Sequence, residues 1–290
     1  MSARYQRIRD LEKDHPVSQL CRVLGVSRAG YYAWRERPPT ARQEANARLL
    51  ARIQDLRRGP AICYGSPRLT AELKAQGQRC SENRIARLLQ THGLRAQCRP
   101  RFVPRTTDSA HDLPIAPNRL AGRVAPDGPN QVWLQDLTYV PTAKGWLYLA
   151  LVLDLWSRKI VGWAMAEHMR SDLVISALQM AATQRQPPRG LLLHSDRGVQ
   201  YASTQTRAFA TCRGWQISMS RKGNPYDNAW MESAIGKIKN EVLGRTLPAH
   251  PAAARQQLFV GIEGWYNQRR RHSSLGYQSP VAFETQFMKN

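Results

Sequence analysis

Two patterns of apolar positions divide the chain. Up to residue 100 they recur at helical spacing between short polar breaks, and from residue 129 they gather into short β-rich runs. The stretch Pro16 to Trp34 predicts a helix, a turn at Gly25 and a second helix capped by Ser27, the order of a helix-turn-helix. Ser66-Pro67 opens a helix through Lys74, with Ser as the expected cap and Pro at the first position, and Gln76-Gly77 breaks it. Ser81 caps another helix, Glu82 to His92, which Gly93 ends. Arg84, Arg87 and Arg95 lie on or just past it, where they suit phosphate contacts; a solvated basic face is the plainer alternative.

The second half is β-rich. Val132–Val140, Trp146–Asp154 and Lys159–Met165 read as strands, and the short turns between them predict antiparallel hairpins. An amphipathic helix over Ser171–Gln186 follows, then a strand at Gly190–His194, a helix at Ser203–Arg213 and a strand at Trp215–Met219. After a Gly/Asn/Pro loop comes a helix from about Asn228 to Leu243. The order βββ-α-β-α-β-α fits an α/β mixed five-stranded sheet flanked by helices, the order of an RNase H-like fold, behind an N-terminal helical region. Arg99 to Gly128 is rich in Pro and Arg without periodicity and reads as a linker.

Charge narrows the partners. The 290 residues hold 43 Lys+Arg against 21 Asp+Glu, a formal net of +22, and the pI is about 10.6. Such an excess implies a polyanion, nucleic acid or an anionic membrane surface. The longest apolar run, Trp146 to Trp156, is too short to span a bilayer and carries Asp154, so nucleic acid is favoured. No signal pattern opens the chain, and five scattered cysteines without zinc-ligand spacing read as reduced thiols, so a cytoplasmic, nucleoid-associated protein is expected.

Three carboxylates are candidates for chemistry. Asp136 sits mid-strand, where burial is costly unless the group is paired, protonated or metal-bound. Asp196 ends the next apolar strand, the edge at which α/β sheets place ligands. Glu232 lies just inside a helix whose expected cap is Asp227. These positions can converge although distant in sequence. Hard oxygen donors suit Mg²⁺, and a pair of ions can activate an attacking oxygen and stabilise a leaving one in phosphoryl transfer. Asn228, Glu232 and Lys239 share one helical face, with Lys239 able to hold a phosphate. The plainer readings stay open: a polar edge residue for Asp136, a solvated Glu/Lys stripe, and a structural role for Asp154.

Four stretches carry a resemblance: Pro129-Asn-Gln-Val-Trp-Leu-Gln-Asp136-Leu-Thr-Tyr; His194-Ser-Asp196-Arg-Gly-Val-Gln-Tyr201; Gly223-Asn-Pro-Tyr-Asp-Asn228-Ala-Trp-Met-Glu232; and Tyr266-Asn-Gln-Arg-Arg-Arg-His272-Ser-Ser-Leu-Gly-Tyr277-Gln-Ser-Pro280. Thirty-five residues separate Asp196 from Glu232. The chain resembles, over nearly its whole length, the orfB-type DDE transposases of the third insertion-sequence family, in the retroviral integrase superfamily. Tyr31-Tyr-Ala-Trp and Tyr64-Gly-Ser-Pro-Arg68 add to the likeness.

The resemblance implies a Mg²⁺-dependent transposase using two ions, with Mn²⁺ expected to substitute. It implies cleavage at the element's ends and attack of a 3′-OH on a second strand, without a covalent protein–DNA intermediate. Asp136, Asp196 and Glu232 match the catalytic and metal-binding acids, and Lys239 the basic residue two turns on. His194, Arg197, Asn228, Tyr266, Arg271 and His272 match positions read as DNA contacts or as supports of the metal ligands. The implied partners are double-stranded DNA (terminal repeats and target), a first-frame protein or frameshift fusion, and a second copy on synapsis; no membrane is implied. The expected division is a helix-turn-helix-like segment at 1–44, a helical DNA-binding region at 45–100, a linker at 101–128, the RNase H-like catalytic core at 129–245, and a C-terminal helix with a basic tail at 246–290. Gln135 stands where a small residue is expected, but its side chain should point off the metal face. The competing functions are a metal-dependent nuclease of the same fold and a non-catalytic DNA-binding regulator.

Overall fold

The computed structural model describes residues 2–97, 112–221, 225–244 and 246–289. The linker expected at 101–128 lies outside the described residues through residue 111. By internal contacts the chain divides into two units, Met1–Asp55 and Leu56–Asn290.

The first unit is helical. Helices α1 (Ser2–Leu11), α2 (Val17–Val23) and α3 (Arg28–Glu36) precede a longer α4 (Ala41–Leu56). Ile8, Leu20, Cys21 and Tyr31 are buried, with Tyr5, Leu11 and Trp34 packed around them. The expected α2-turn-α3 is present: Gly25 takes φ +64°, a left-handed conformation open to glycine at little cost. The Ser27 hydroxyl accepts from the Gly30 N–H, as a cap should. The charge-dense α1 was not anticipated. Its apolar residues are few, yet Tyr5, Ile8 and Leu11 at i, i+3 and i+6 suffice for one buried stripe.

The second unit opens with a 3-10 turn at Pro60–Cys63, then α5 (Ser66–Ala75) and α6 (Glu82–Thr91). Ser81 caps α6 as expected, accepting from the Arg84 N–H. The expected cap of α5 moves by one residue. Gly65 is its N-cap and Ser66 is already helical, which leaves that helix without a side-chain cap bond.

Five strands follow: β1 (Val132–Thr142), β2 (Gly145–Asp154), β3 (Ile160–Ala166), β4 (Leu192–Ser195) and β5 (Gln216–Met219). They form one mixed sheet in the order β3-β2-β1-β4-β5. The two hairpins pair antiparallel, while β4 pairs parallel with β1 and β5 parallel with β4. Helices α7 (Ser171–Arg185), α8 (Val199–Ala202) and α9 (Thr204–Cys212) lie between the strands, and α10 (Ala229–Glu241), α11 (Pro251–Phe259) and α12 (Pro280–Phe287) follow them.

Alternation along β1 builds two cores. Val132, Leu134 and Val140 face Met231, Ile235 and Ile238 of α10 and Leu258 of α11. Trp133 and Leu137 belong to the opposite core, with Leu173, Val174, Ala177 and Leu178 of α7. Gly162 of β3 lets α7 approach: a Cβ there would stand 2.3 Å from the Ala177 carbonyl oxygen. The predicted α/β/α layering thus holds. A π-helical turn at Val260–Asn267, continuing α11, was not foreseen.

Candidate active site

The parallel register of β1 and β4 positions the first two acids. Leu134 pairs with His194, so Asp136 and Asp196 each lie two residues beyond the same rung. Asp136 alternates with Val132 and Leu134, which directs it to the α10 side of the sheet, and Gln135 falls on the other side as expected. The Asp136 carboxylate accepts the Leu137 N–H at 2.7 Å. Asp196 accepts the Gly198 N–H at 2.9 Å, which fixes the turn into α8.

Electrostatics tie Asp136 to both other acids. Burial, then the Asp196 charge, push its carboxyl up to about 8; Glu232 adds to the rise, and the Leu137 N–H and Lys239 oppose it. Glu232 sits in the first turn of α10 and is exposed. Lys239, two turns on, places its ammonium 5.0 Å from the centre of the Tyr139 ring on β1. The expected polar stripe is therefore half packed against the sheet. Among the described residues, no group of three or more His, Cys, Asp or Glu stands close enough to hold a single ion.

Asn228 is the N-cap position of α10. It is buried, and its side-chain oxygen has no hydrogen-bond partner among the described residues. Asp227, the expected cap, does another job. It accepts from the Arg221 backbone N–H at 2.9 Å, from the Arg221 guanidinium at 3.0 Å, and from the Asn118 amide at 2.9 Å. A 3-10 turn at Pro225–Asn228 precedes α10, so the cap falls one residue later and the Asp227 carboxylate turns to Arg221.

His194 is buried, with Nδ1 2.8 Å from the Ser218 hydroxyl and Nε2 3.0 Å from that of Ser220. Burial pushes it down to about 4, so its imidazole is neutral at pH 7 and ties β4 to β5. Arg197 donates to the Ser220 carbonyl at 2.7 Å. Asp154 accepts N–H bonds from Asn130, Trp156 and Ser157, which accounts for it as a structural residue. Tyr201 closes the second motif. Its buried hydroxyl has no hydrogen-bond partner among the described residues, and burial and the charges of Asp136 and Asp196 push it well up. Its place five residues after Asp196 was the one available signal.

The C-terminal motif packs beside the core. Tyr266 is buried, edge-on to the His272 ring at 5.1 Å. The Arg269-Arg-Arg run divides its tasks. Arg270 pairs with Glu241 at 2.7 Å, both side chains buried, and Arg271 pairs with Glu72 of α5 at 2.7 Å.

Burial pushes His272 down to about 2, and Arg270, Lys237, Arg68 and Arg158 add to the fall. The unfolded chain takes the proton near 6.5 and the folded chain far lower. Stability from this group is therefore complete above pH 6.5 and declines as pH falls below it. NMR of the ring nitrogens is expected to find His272 neutral at pH 4; a His272 that protonates near 6.5 would contradict this packing.

Residues 126–225 match the integrase core domain family, 213–280 match a second integrase core domain family, and 42–102 match an HTH-like domain family. A 31 kDa protein of insertion element IS600 from Shigella sonnei, described as uncharacterized, is 44% identical over 268 residues, covering 92% of this chain and 98% of that protein. Transposase InsF for insertion sequence IS3A from Escherichia coli (strain K12) is 39% identical over 287 residues, covering 97% and 98%. Among solved structures, the HTLV-2 integrase catalytic core domain in complex with magnesium aligns with a TM-score of 0.41 at 21% identity, covering 54% of this chain and 97% of that one. The fold and its matches define an integrase-core protein with an HTH-like region. The chain belongs to the IS3 family of insertion-sequence transposases, of the InsF type. Among the described residues no helix is long and apolar enough to cross a membrane.

Proposed function

We propose that this transposase cuts DNA at the ends of its element and joins the exposed 3′-OH to a second strand, with Asp136, Asp196 and Glu232 as its catalytic carboxylates. The observation that carries the reading is the shared β1/β4 register, which sets Asp136 beside Asp196 where Glu232 also acts on it. By residue type the donor set suits Mg²⁺: all three are hard oxygen donors, and a cation would offset the burial and the Asp196 and Glu232 charges that raise Asp136. Held by these residues, two such ions would supply activation of the attacking oxygen and stabilisation of the leaving one.

The chain's own residues do the rest. The Leu137 and Gly198 N–H groups hold the two aspartates in place. Neutral His194 clamps the end of β4 to β5 beneath Asp196. Lys239 orients a DNA phosphate near the carboxylates. A new P–O bond forms to the 3′ oxygen as the bond to the leaving oxygen breaks, so no protein–DNA bond is made. Double-stranded DNA is the substrate. A first-frame protein or fusion completes end recognition, and a second copy is required when two ends are synapsed.

A plasmid carrying the element ends, incubated with this chain and Mg²⁺, is expected to yield joined products. Nicks without joining, also when the fused first-frame protein is added, would assign the site to a nuclease. Bound but intact DNA would assign the chain to regulation.

A further inference from the structure

The two lysines of α10 serve different faces. Lys239 lies over Tyr139 on the sheet side. Lys237 is two residues earlier, roughly 200° around the helix, on the face shared with Trp230 and Glu241. That face meets the β2–β3 turn and the C-terminal motif. Arg158 of the turn stacks its guanidinium 5.5 Å from the centre of the Trp230 ring. It adopts φ +60°, which is costly for a residue with a side chain. One terminal nitrogen of Arg158 is buried with no hydrogen-bond partner among the described residues, and so is Nε2 of His272, a residue only 3% exposed.

The acids nearby are committed. Glu241 takes both forks of Arg270 at 2.7 and 2.9 Å and also accepts the Trp265 indole N–H. Glu72 takes Arg271. Among the described residues Lys237, Arg158 and Arg68 have no salt bridge. Lys237 is pushed down to about 8 by burial, then by Arg270 and Arg68, so the cations stand close enough to repel one another. Asp154 and Glu241 act on Arg158 and Lys237 without a salt bridge to either, so these partly buried cations and the unpartnered guanidinium nitrogen suit an anion that offers several oxygens at once.

We propose that Lys237, Arg158 and His272, with Arg68 at the rim, form a cradle for one phosphate of the DNA backbone, on the side of α10 away from Lys239. The proposal rests on the reading of the chain as a DNA-binding transposase. DNA is the source because the same helix carries Glu232, so a strand held at the carboxylates can continue to the cradle.

Fluorescence anisotropy with an element-end duplex, over a series of NaCl concentrations, tests it. Each neutralised phosphate contact contributes about 0.9 to the slope of log K against log salt. Lys237→Gln and Arg158→Gln are each expected to lower that slope by about 0.9, with thermal melting matched to wild type. Unchanged slopes in both variants would overturn the cradle while leaving the transposase reading intact. An equal loss in Lys289→Gln, at an exposed cation, would reduce the effect to net charge and overturn it. If inorganic phosphate raises the melting temperature of wild type but not of Lys237→Gln, with DNA slopes unchanged, the cradle takes free phosphate and the DNA assignment falls. No salt-dependent binding by wild type would remove both the cradle and the reading beneath it.

Discussion

Glu232→Gln is expected to lower strand joining by roughly 10³-fold, about 4 kcal/mol in the barrier, while DNA binding stays at the wild-type level. The substitution keeps the shape and polarity of the side chain and removes its charge. Glu232 is exposed in the first turn of α10, so folding has little at stake there. A second readout follows from its action on Asp136. Glu232 is one of the charges that raise the Asp136 carboxyl, so that carboxyl should titrate lower in the variant. Joined product at the wild-type rate would remove Glu232 from the catalytic set. Loss of joining together with loss of DNA binding would instead indicate a damaged fold.

Glu241→Ala is expected to destabilise the protein by about 3–5 kcal/mol, the largest stability loss of any single change considered. Glu241 and Arg270 form a two-fork pair, with side-chain exposures of 4% and 1%. Removing the carboxylate leaves a buried guanidinium without its counter-charge and the Trp265 N–H without its acceptor. Urea unfolding should show the loss as a lower midpoint. Replacing both partners by apolar residues, Glu241→Leu with Arg270→Met, should recover most of it, because the cost lies in the orphaned charge. A single variant as stable as wild type would mean that the pair is not buried as described.

The strands were legible because each carries its own signal. Short turns after Val140 and Asp154 leave antiparallel pairing as the simplest connection, and β2 pairs over its full length with Trp133–Thr142 of β1. The β1/β4 register was not legible. Parallel pairing joins segments 60 residues apart, and no local pattern states which rung meets which. The carboxylates could be picked out by residue type and by the gap between Asp196 and Glu232, but their alignment comes from that register alone. Caps failed by single residues. Ser66 and Asp227 are both good capping types, yet a helix that starts one residue earlier or later assigns the position to Gly65 or Asn228. Asp227 shows the cause: its carboxylate takes the distant Asn118 amide and the Arg221 guanidinium instead of the N–H groups that open α10. The partners of the Arg269-Arg-Arg run were not legible for a related reason. Charge in sequence does not reveal that Glu241 and Glu72, from distant helices, are its partners.

Transesterification and hydrolysis at the proposed carboxylates are separated by joining of pre-cut element-end duplexes to a target plasmid with Mg²⁺, comparing ends that carry a 3′-OH with ends that carry a 3′-deoxy terminus. Joined product is expected from the 3′-OH ends alone, abolished by a chelator. Equal nicking of the target with both ends, and no joined product, would contradict it.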